Sequence, residues 1–180
     1  MIDSPWSETL KLSQVSSLAP GKRLQRRLVA DAAARAAVAD LLDVESIETL
    51  EADLDVAPWF DGAQIDGRWR ADITQICGIS LDPFPTSLSG RFMVRAVPQG
   101  SALAPQDALA EIVIEPDADD PPDVLETDVI DLAGYVVEHV ALDVDPFPRK
   151  PDVVFEMPEQ PRESSPFDVL RALKGGKAGE

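Results

Sequence analysis

The sequence predicts an α+β fold, a single domain in which an antiparallel β-sheet packs with two to three helices. Polar and apolar side chains alternate in three successive runs over residues 47–97, and turn signals join the runs. Alanine- and valine-rich helical patterns precede and follow these runs. With 180 residues and 44% hydrophobic side chains, the chain has the size and composition of one domain. We therefore expect a meander at about 47–97 with flanking strands.

The N-terminal part of the chain predicts strand and helix before the meander. Residues 7–15 alternate polar and apolar side chains, which is typical of a strand. Residues 22–30 suit either a second strand or the start of a helix. Asp31 suits the N-cap of a helix over 32–42, where alanine and leucine favour the helical state. The apolar stripe predicted for this helix consists of Ala33, Ala36, Ala37 and Leu41.

The first two strands of the meander are predicted to form a hairpin. In residues 50–56, apolar side chains occupy one face and acidic side chains the other. Asp61 and Gly62 suit the two central positions of a type I′ turn. The following strand is predicted to bury a matching set of side chains. These inward residues are Ile65, Trp69, Ala71, Ile73 and Cys77.

The turn position sets the pairing of these two strands, and a turn one or two residues away stays open as an alternative. With Asp61 and Gly62 in the turn, Asp55 faces Arg68 and Asp53 faces Arg70. Opposite charges then meet on one face while apolar side chains meet on the other, as register selection requires.

The third strand of the meander follows a break at residues 81–87, which contain two prolines. Alternation resumes over 88–97, with Leu88, Phe92, Val94 and Ala96 facing inward. A further strand is predicted at 109–115, and an acidic, proline-rich surface loop at 116–123.

The C-terminal part predicts one buried helix and one docking helix. Residues 129–144 form the first, with apolar positions at Ile130, Tyr135, Val137, Val140 and Ala141. The main α+β unit is expected over 1–145. Residues 146–180 are expected to be a proline-rich extended segment of the same domain, which ends in a short docking helix at 166–174.

Acidic residues dominate the composition, with a formal net charge of −17. Residues 101–145 hold thirteen of them and no lysine or arginine. Such a charge repels nucleic acid unless a local basic patch is present, and it favours solubility or basic protein partners. No secretory signal or membrane-spanning run is evident, so we expect a cytoplasmic protein without membrane association.

Few residues suggest catalysis or metal binding. His139 is the single histidine, and a structural role in the predicted helix is expected. No nucleophile elbow or phosphate-binding loop is present. Cys77 is the single cysteine, and burial is expected to raise its pKa and make it inert. We therefore expect no catalytic residue, metal or cofactor, and no small-molecule substrate is evident.

Two sets of charged residues are candidates for partner binding. The first is basic and suits RNA phosphates. Ordinary cross-strand pairing with Asp53 and Asp55 is the favoured interpretation of these arginines, and aromatic residues for base stacking are not expected on that face. Its members are Arg23, Arg26, Arg27, Arg68, Arg70, Arg91 and Arg95. The second set is acidic and suits a basic protein. Its members are Asp117, Asp119, Asp120 and Asp123.

Three stretches together resemble the YceD family of large ribosomal RNA subunit accumulation proteins, most of all its alphaproteobacterial branch. "QICGISLDPF" resembles the family's cysteine–proline–aromatic segment, "VIDLAGYVVEHVALDVDPFP" its Ile-Asp-Leu helix, and "SPFDVLRALK" its C-terminal helix. The resemblance covers about residues 5–175. The residues that carry it, with structural roles expected, are Cys77, Pro83, Phe84, Ile130, Asp131, Leu132, Pro166, Phe167 and Leu170.

The resemblance implies a non-catalytic accessory factor for the accumulation, processing or stability of large-subunit (23S-type) ribosomal RNA, or for ribosome assembly. The partner is then ribosomal RNA, or a ribosomal or assembly protein. An alternative is an acidic module that chaperones a basic ribosomal protein, and a weaker one is a metal-dependent or hydrolytic enzyme. Many members carry C-x-x-C at this place and further cysteines after the helix, whereas this chain has Ser80 and none.

Overall fold

The computed structural model describes residues 6–105 and 120–155. Within these residues it has a five-stranded main sheet in the order β2-β3-β4-β5-β6, a two-stranded β1–β7 pair, and three helices. This is the predicted single α+β domain. In chain order the elements are β1 (Thr9–Lys11), α1 (Leu12–Ser16), β2 (Leu24–Val29), α2 (Ala32–Leu42), β3 (Ser46–Trp59), β4 (Gly62–Ile76), β5 (Pro83–Pro98), β6 (Asp123–Leu125), β7 (Val129–Asp131) and α3 (Leu132–Asp143).

The predicted meander is confirmed as the long strands β3, β4 and β5, which pair antiparallel in sequence order. β2 adds to β3 in antiparallel orientation, so residues 22–30 contain the strand that the sequence left open. Period two determines the two faces. The inner face is buried against α1 and α3, and the outer face is polar and open to solvent. Any site on the outer face is therefore built on rigid strands.

The turn between β3 and β4 differs from the prediction. Trp59 pairs with Gly62, so the two turn residues are Phe60 and Asp61, one position earlier than expected. A Cβ atom on Gly62 would lie 2.0 Å from the carbonyl oxygen of Ala96 on β5, so glycine is needed there for close strand packing. Phe60 takes the positive φ of the turn, at 50°.

The corrected turn shifts the hairpin register by two residues. Both faces keep their side chains, because a shift of two preserves the alternation. The charge partners change: Asp53 now faces Arg68, whereas Asp55 faces Asp66. The predicted pairs of Asp55 with Arg68 and of Asp53 with Arg70 are wrong.

Two predicted boundaries are corrected where β1 meets β7. The strand predicted over 7–15 is only β1, and the chain then enters α1, which buries Leu12 and Val15 at helical spacing. The helix predicted over 129–144 begins only at Leu132, because residues 129–131 form β7 opposite β1. Asp131 caps α3 by accepting a hydrogen bond from the backbone N–H of Gly134 at 3.0 Å.

Helix α2 confirms the predicted segment and cap but not the predicted apolar stripe. Asp31 accepts from the backbone N–H of Ala34 at 2.8 Å. The buried residues are Val38 and Ala39, whereas the predicted stripe residues are exposed or only partly buried. The helix is therefore rotated about its axis relative to the prediction. Arg35 explains this rotation, because its guanidinium donates to the carbonyl oxygens of Ala30 and Ile47 and holds this side of the helix against the sheet.

The predicted break at 81–87 is also shorter than expected. β5 begins at Pro83, which pairs with Ile76, and Pro85 pairs with Thr74. Prolines are tolerated here because, within the described residues, β6 pairs only with the far end of β5, at 96–98. This part of β5 is an edge that needs no N–H on its outer side.

Several predictions lie outside the described residues: the strand at 109–115, residues 116–119 of the loop at 116–123, and the docking helix at 166–174. Asp117, Asp119, Pro166, Phe167 and Leu170 belong to these segments. In the described ranges, no helix has the combination of length and apolar character that crossing a bilayer requires.

Candidate functional site

A row of charged side chains crosses the middle of the outer face. Arg27 on β2, Asp53 on β3, Arg68 on β4 and Arg91 on β5 are successive cross-strand partners. Their positions follow from period two and from the corrected register, which sets the row straight across four strands. We call this row, with its flanking arginines Arg23, Arg70 and Arg95, the arginine face. The sequence-predicted Arg26 does not join it, because Arg26 pairs with the buried Leu54 and alternation places it on the inner side of β2.

Part of the arginine face is neutralised by ion pairs, as the alternative interpretation of the sequence expects. Arg27 donates to Glu51 at 2.8 Å and lies 4.0 Å from Asp53. Arg70 donates to the other oxygen of Glu51. This hydrogen bond from Arg70, with a smaller contribution from Arg27, lowers the pKa of Glu51. These two arginines therefore already have an anionic partner, in exposed pairs that contribute little to stability.

The arginines beside β2 are also engaged. Arg23 pairs with Asp66 across 3.3 Å. Arg26 donates to the carbonyl oxygen of Gln25 at 3.0 Å.

Arg68 and Arg91 differ from these arginines. They are direct cross-strand partners, both are exposed, and neither has an ion pair within residues 6–105 and 120–155. Like charges placed opposite each other on a sheet are destabilising. Two unpaired guanidinium groups side by side can each donate two parallel hydrogen bonds to an anionic oxyacid, such as a phosphate.

A broad groove surrounds this pair and gives an anion room to approach. Its volume is about 1140 Å³, and its lining runs from β2 to β5. The lining residues are Arg23, Gln25, Arg26, Arg27, Asp53, Leu54, Asp55, Gln64, Asp66, Gly67, Arg68, Arg91, Phe92 and Met93. The groove is polar and open, which suits a charged polymer backbone better than an apolar small molecule.

Aromatic rings stand at the hairpin end of the same face, where the sequence predicts none. Trp59 and Phe60 meet edge to face with centroids 5.0 Å apart, and Phe60 is 80% exposed. The guanidinium carbon of Arg95 lies 5.0 Å from the centroid of the Trp59 ring. The expected absence of stacking aromatics is therefore wrong. The two rings adjoin the turn, outside the alternating stretches from which the face is predicted.

Cys77 is fully buried, as predicted, but its pKa moves opposite to the prediction. Its Sγ atom accepts hydrogen bonds from the backbone N–H groups of Ser80, Lys150 and Ile79, at 3.5, 3.4 and 3.4 Å. The bonds from Ser80 and Lys150 are the main causes, and they outweigh burial and lower the pKa of the thiol to about 6.

The turn around Cys77 binds the segment that follows α3. Gly78 donates to the carbonyl oxygen of Pro148 at 2.9 Å, and Gln75 donates to that of Asp145 at 3.1 Å. Cys77 thus joins two segments more than seventy residues apart. In the described part of the chain, no three histidine, cysteine or acidic side chains are grouped as a metal site requires.

His139 has the structural environment that the sequence suggests. Its Nδ1 atom is hydrogen-bonded to the carbonyl oxygen of Tyr135 at 2.7 Å, and its ring stacks on Phe92 with centroids 4.2 Å apart. The remaining resemblance residues in the described part also serve the fold. Phe84, Ile130 and Leu132 are buried, Asp131 caps α3, and Pro83 starts β5.

Comparisons with known proteins agree with the sequence resemblance. The family model described as "Large ribosomal RNA subunit accumulation protein YceD" matches residues 65–174, well over half of the chain. The match includes all three stretches that carry the resemblance and omits the N-terminal part to which the resemblance was extended. A search of curated proteins finds no match, and a search of solved structures finds none either.

Proposed function

Because the chain belongs to the YceD family of large ribosomal RNA subunit accumulation proteins, we propose that it is a non-catalytic accessory factor that binds ribosomal RNA through the arginine face. The observation that carries the proposal is the exposed couple of Arg68 and Arg91, which has no ion pair among the described side chains and lies in a polar groove. Its cellular location is then the cytoplasm, where the large-subunit RNA of a bacterial-type ribosome is assembled.

Phosphate recognition is the chemistry that this couple suits. Guanidinium groups bind phosphate oxygens through paired N–H donors, and phosphate contacts dominate the affinity of most nucleic-acid complexes. An anion between Arg68 and Arg91 relieves their mutual repulsion. The surrounding carboxylates limit the number of phosphates that bind, so we expect a few contacts and a modest affinity.

The aromatic end of the arginine face adds a site for a base. Trp59 and Phe60 offer ring surface, and single-stranded RNA is commonly held by base stacking beside arginine. Arg95 already stacks on Trp59, so a base placed there meets both an aromatic ring and a cation. We therefore expect the bound RNA to be single-stranded where it passes the hairpin end.

Charge reversal of the central couple tests the proposal. The Arg68→Glu/Arg91→Glu variant should lose large-subunit RNA by at least about tenfold when a tagged chain is purified from cells, since two phosphate contacts are removed. The matched control is Lys11→Glu/Arg149→Glu, which makes the same charge change at exposed positions away from the face. Undiminished RNA recovery with the Arg68/Arg91 variant, or equal loss with the control, contradicts the proposal.

A single variant separates RNA binding from folding. Arg91→Glu places an acid opposite Arg68, so the free energy of unfolding should rise by about 0.2–1 kcal/mol in urea denaturation. RNA recovery should nevertheless fall. A loss of RNA accompanied by a loss of stability would instead point to a structural defect.

A further inference from the structure

A second surface lies on the other side of β5, where β6, β7 and α3 meet. Two neighbouring cavities there have volumes of about 420 and 470 Å³. Asp123, Tyr135 and Glu138 line both of them, so the two form one continuous cleft. We call it the acidic cleft.

Carboxylates dominate its walls. Asp120, Asp123, Glu126 and Glu138 contribute four acidic groups, and Arg95 contributes the one guanidinium among the lining residues. The first three are exposed, whereas Glu138 on α3 is half-buried. Partial burial strengthens the attraction of a carboxylate for a cation, because less water screens it. The walls therefore favour a positively charged ligand.

Tyr135 gives the cleft a second feature that points to a ligand. The residue is only 3% exposed, and its hydroxyl group has no hydrogen-bond partner of normal geometry among the described residues. Buried polar groups without a partner are rare and need an explanation. Burial, followed by the charge of the Asp123 carboxylate and a hydrogen-bonding approach between the two groups, raises the pKa of Tyr135, so the hydroxyl stays neutral and can direct its proton toward Asp123. The lone pairs of its oxygen remain available to accept an N–H donor.

Apolar side chains complete the cleft. Val124 and Val129 line the second cavity, and each is 40% exposed. Lysine and arginine side chains combine an aliphatic stem with a charged head, and the stem packs well against such apolar surface. Within the described residues, the carboxylates are not grouped closely enough to hold a metal ion. A charged head on an apolar stem fits the cleft better than a bare cation does.

We propose that the acidic cleft binds a lysine or arginine side chain presented by a protein partner. The charged head meets Asp123 and Glu138 and donates to the Tyr135 hydroxyl, while the stem lies on Val124 and Val129. A protein is favoured over a small amine because the exposed valines need a complementary apolar surface, which protein interfaces supply. The site shares Arg95 with the arginine face, but the inference does not depend on RNA binding.

Peptide binding to the full-length protein tests this inference. The probe is a fluorescein-labelled twelve-residue peptide with three arginines in a glycine–serine–leucine background, and its partner has glutamine at the same three positions. Anisotropy titrations at about 0.15 M salt should show binding of the arginine peptide alone. The Asp123→Asn/Glu138→Gln variant should bind it at least about tenfold more weakly, because two charged contacts are lost.

A matched charge control guards against non-specific attraction. Asp40→Asn/Glu45→Gln removes two charges from exposed positions on and after α2, and its affinity should change less than about twofold. Equal weakening by both double variants overturns the inference, as does no binding of the arginine peptide. Free spermidine that binds tightly while the peptide does not also overturns it, since the ligand is then a small amine.

The Tyr135→Phe variant separates a role of the hydroxyl in binding from a role in folding. Removal of a buried, unsatisfied hydroxyl should leave the thermal midpoint unchanged or raise it. The affinity for the arginine peptide should nevertheless fall by about fivefold. Unchanged affinity in this variant, with the fold intact, overturns the assigned role of the hydroxyl and with it the proposed geometry.

Discussion

At the scale of single residues, charged side chains divide according to the partner that the register gives them. The sequence places seven arginines in one candidate set, but it cannot tell which of them are already paired. Glu51 takes both Arg27 and Arg70, and Asp66 takes Arg23. Arg68 and Arg91, which have no ion pair within the described residues, face each other through the register of β4 and β5, which alternation alone does not specify.

Tyr135 and Glu138 show a second reason why single residues of a site could not be predicted from the sequence. Asp120 and Asp123 were candidates from composition, whereas the helix residues that complete the acidic cleft were not. The helix brings them to β6 through tertiary packing, which a single sequence does not encode locally. A signal did exist: Tyr135 is the single tyrosine, and it lies on an otherwise apolar helix face, where its hydroxyl needs a partner.

Cys77 gives a prediction about pH. Its pKa is lowered in the folded protein to about 6, from an ordinary value of 9.0, so folding favours the thiolate. This contribution to stability is fully present above pH 9.0, and it is lost as the pH falls through about 6. The free energy of unfolding of the wild type, relative to Cys77→Ala, should therefore increase from about pH 6 to about pH 8.5.

Urea denaturation of both proteins across this pH range measures the effect. The alanine variant is the control, because it removes the titrating sulfur and keeps the other ionisable groups. Parallel pH profiles for the two proteins would show that the backbone N–H groups do not stabilise a thiolate.

At the scale of elements, sequence patterns correctly predict the features that depend only on neighbouring residues in the chain. The alternation of β3, β4 and β5, and the Asp31 cap of α2, depend on neighbours in sequence and were correct. The predicted position of the turn between β3 and β4 is wrong because the Asp-Gly signal competes with the close approach of Gly62 to Ala96 on β5, which lies far along the chain. The predicted buried face of α2 is wrong for a similar reason, because Arg35 binds carbonyl groups on two other segments.

Gly62 turns this explanation into a prediction. Gly62→Ala should lower the free energy of unfolding by about 1–3 kcal/mol, because its Cβ would overlap the Ala96 carbonyl oxygen and push β5 away. The matched control is Gly78→Ala, whose Cβ would have an ordinary contact, 3.6 Å from the Pro148 carbonyl oxygen. Chemical denaturation of the two variants is the measurement. Equal, small effects would show that β4 and β5 separate there without cost.

At the scale of the whole molecule, a strongly acidic protein carries a small basic surface within the part of the chain that the structure describes. The net charge of −17 weakens non-specific attraction to nucleic acid, so RNA binding must come from a few local contacts. The family resemblance was predictable from three short stretches, but neither surface could be located without the register and the packing of α3.

The few contacts predict a shallow salt dependence. With two or three phosphates bound, the logarithm of the RNA affinity should fall against the logarithm of salt with a slope between about −1.4 and −2.1 for single strands. Anisotropy titrations with a labelled single-stranded RNA between about 50 and 200 mM salt give this slope. A much steeper slope would require a larger basic surface than the arginine face.

Arg95 belongs to both surfaces, since it stacks on Trp59 at one end of the arginine face and also lines the acidic cleft. If each surface takes its proposed ligand, this shared side chain makes the two equilibria reciprocal. Whatever factor the bound protein applies to RNA affinity, the RNA must apply to protein affinity. The sign of that factor then distinguishes a carrier, which releases a basic protein when RNA arrives, from a clamp, which holds the two together.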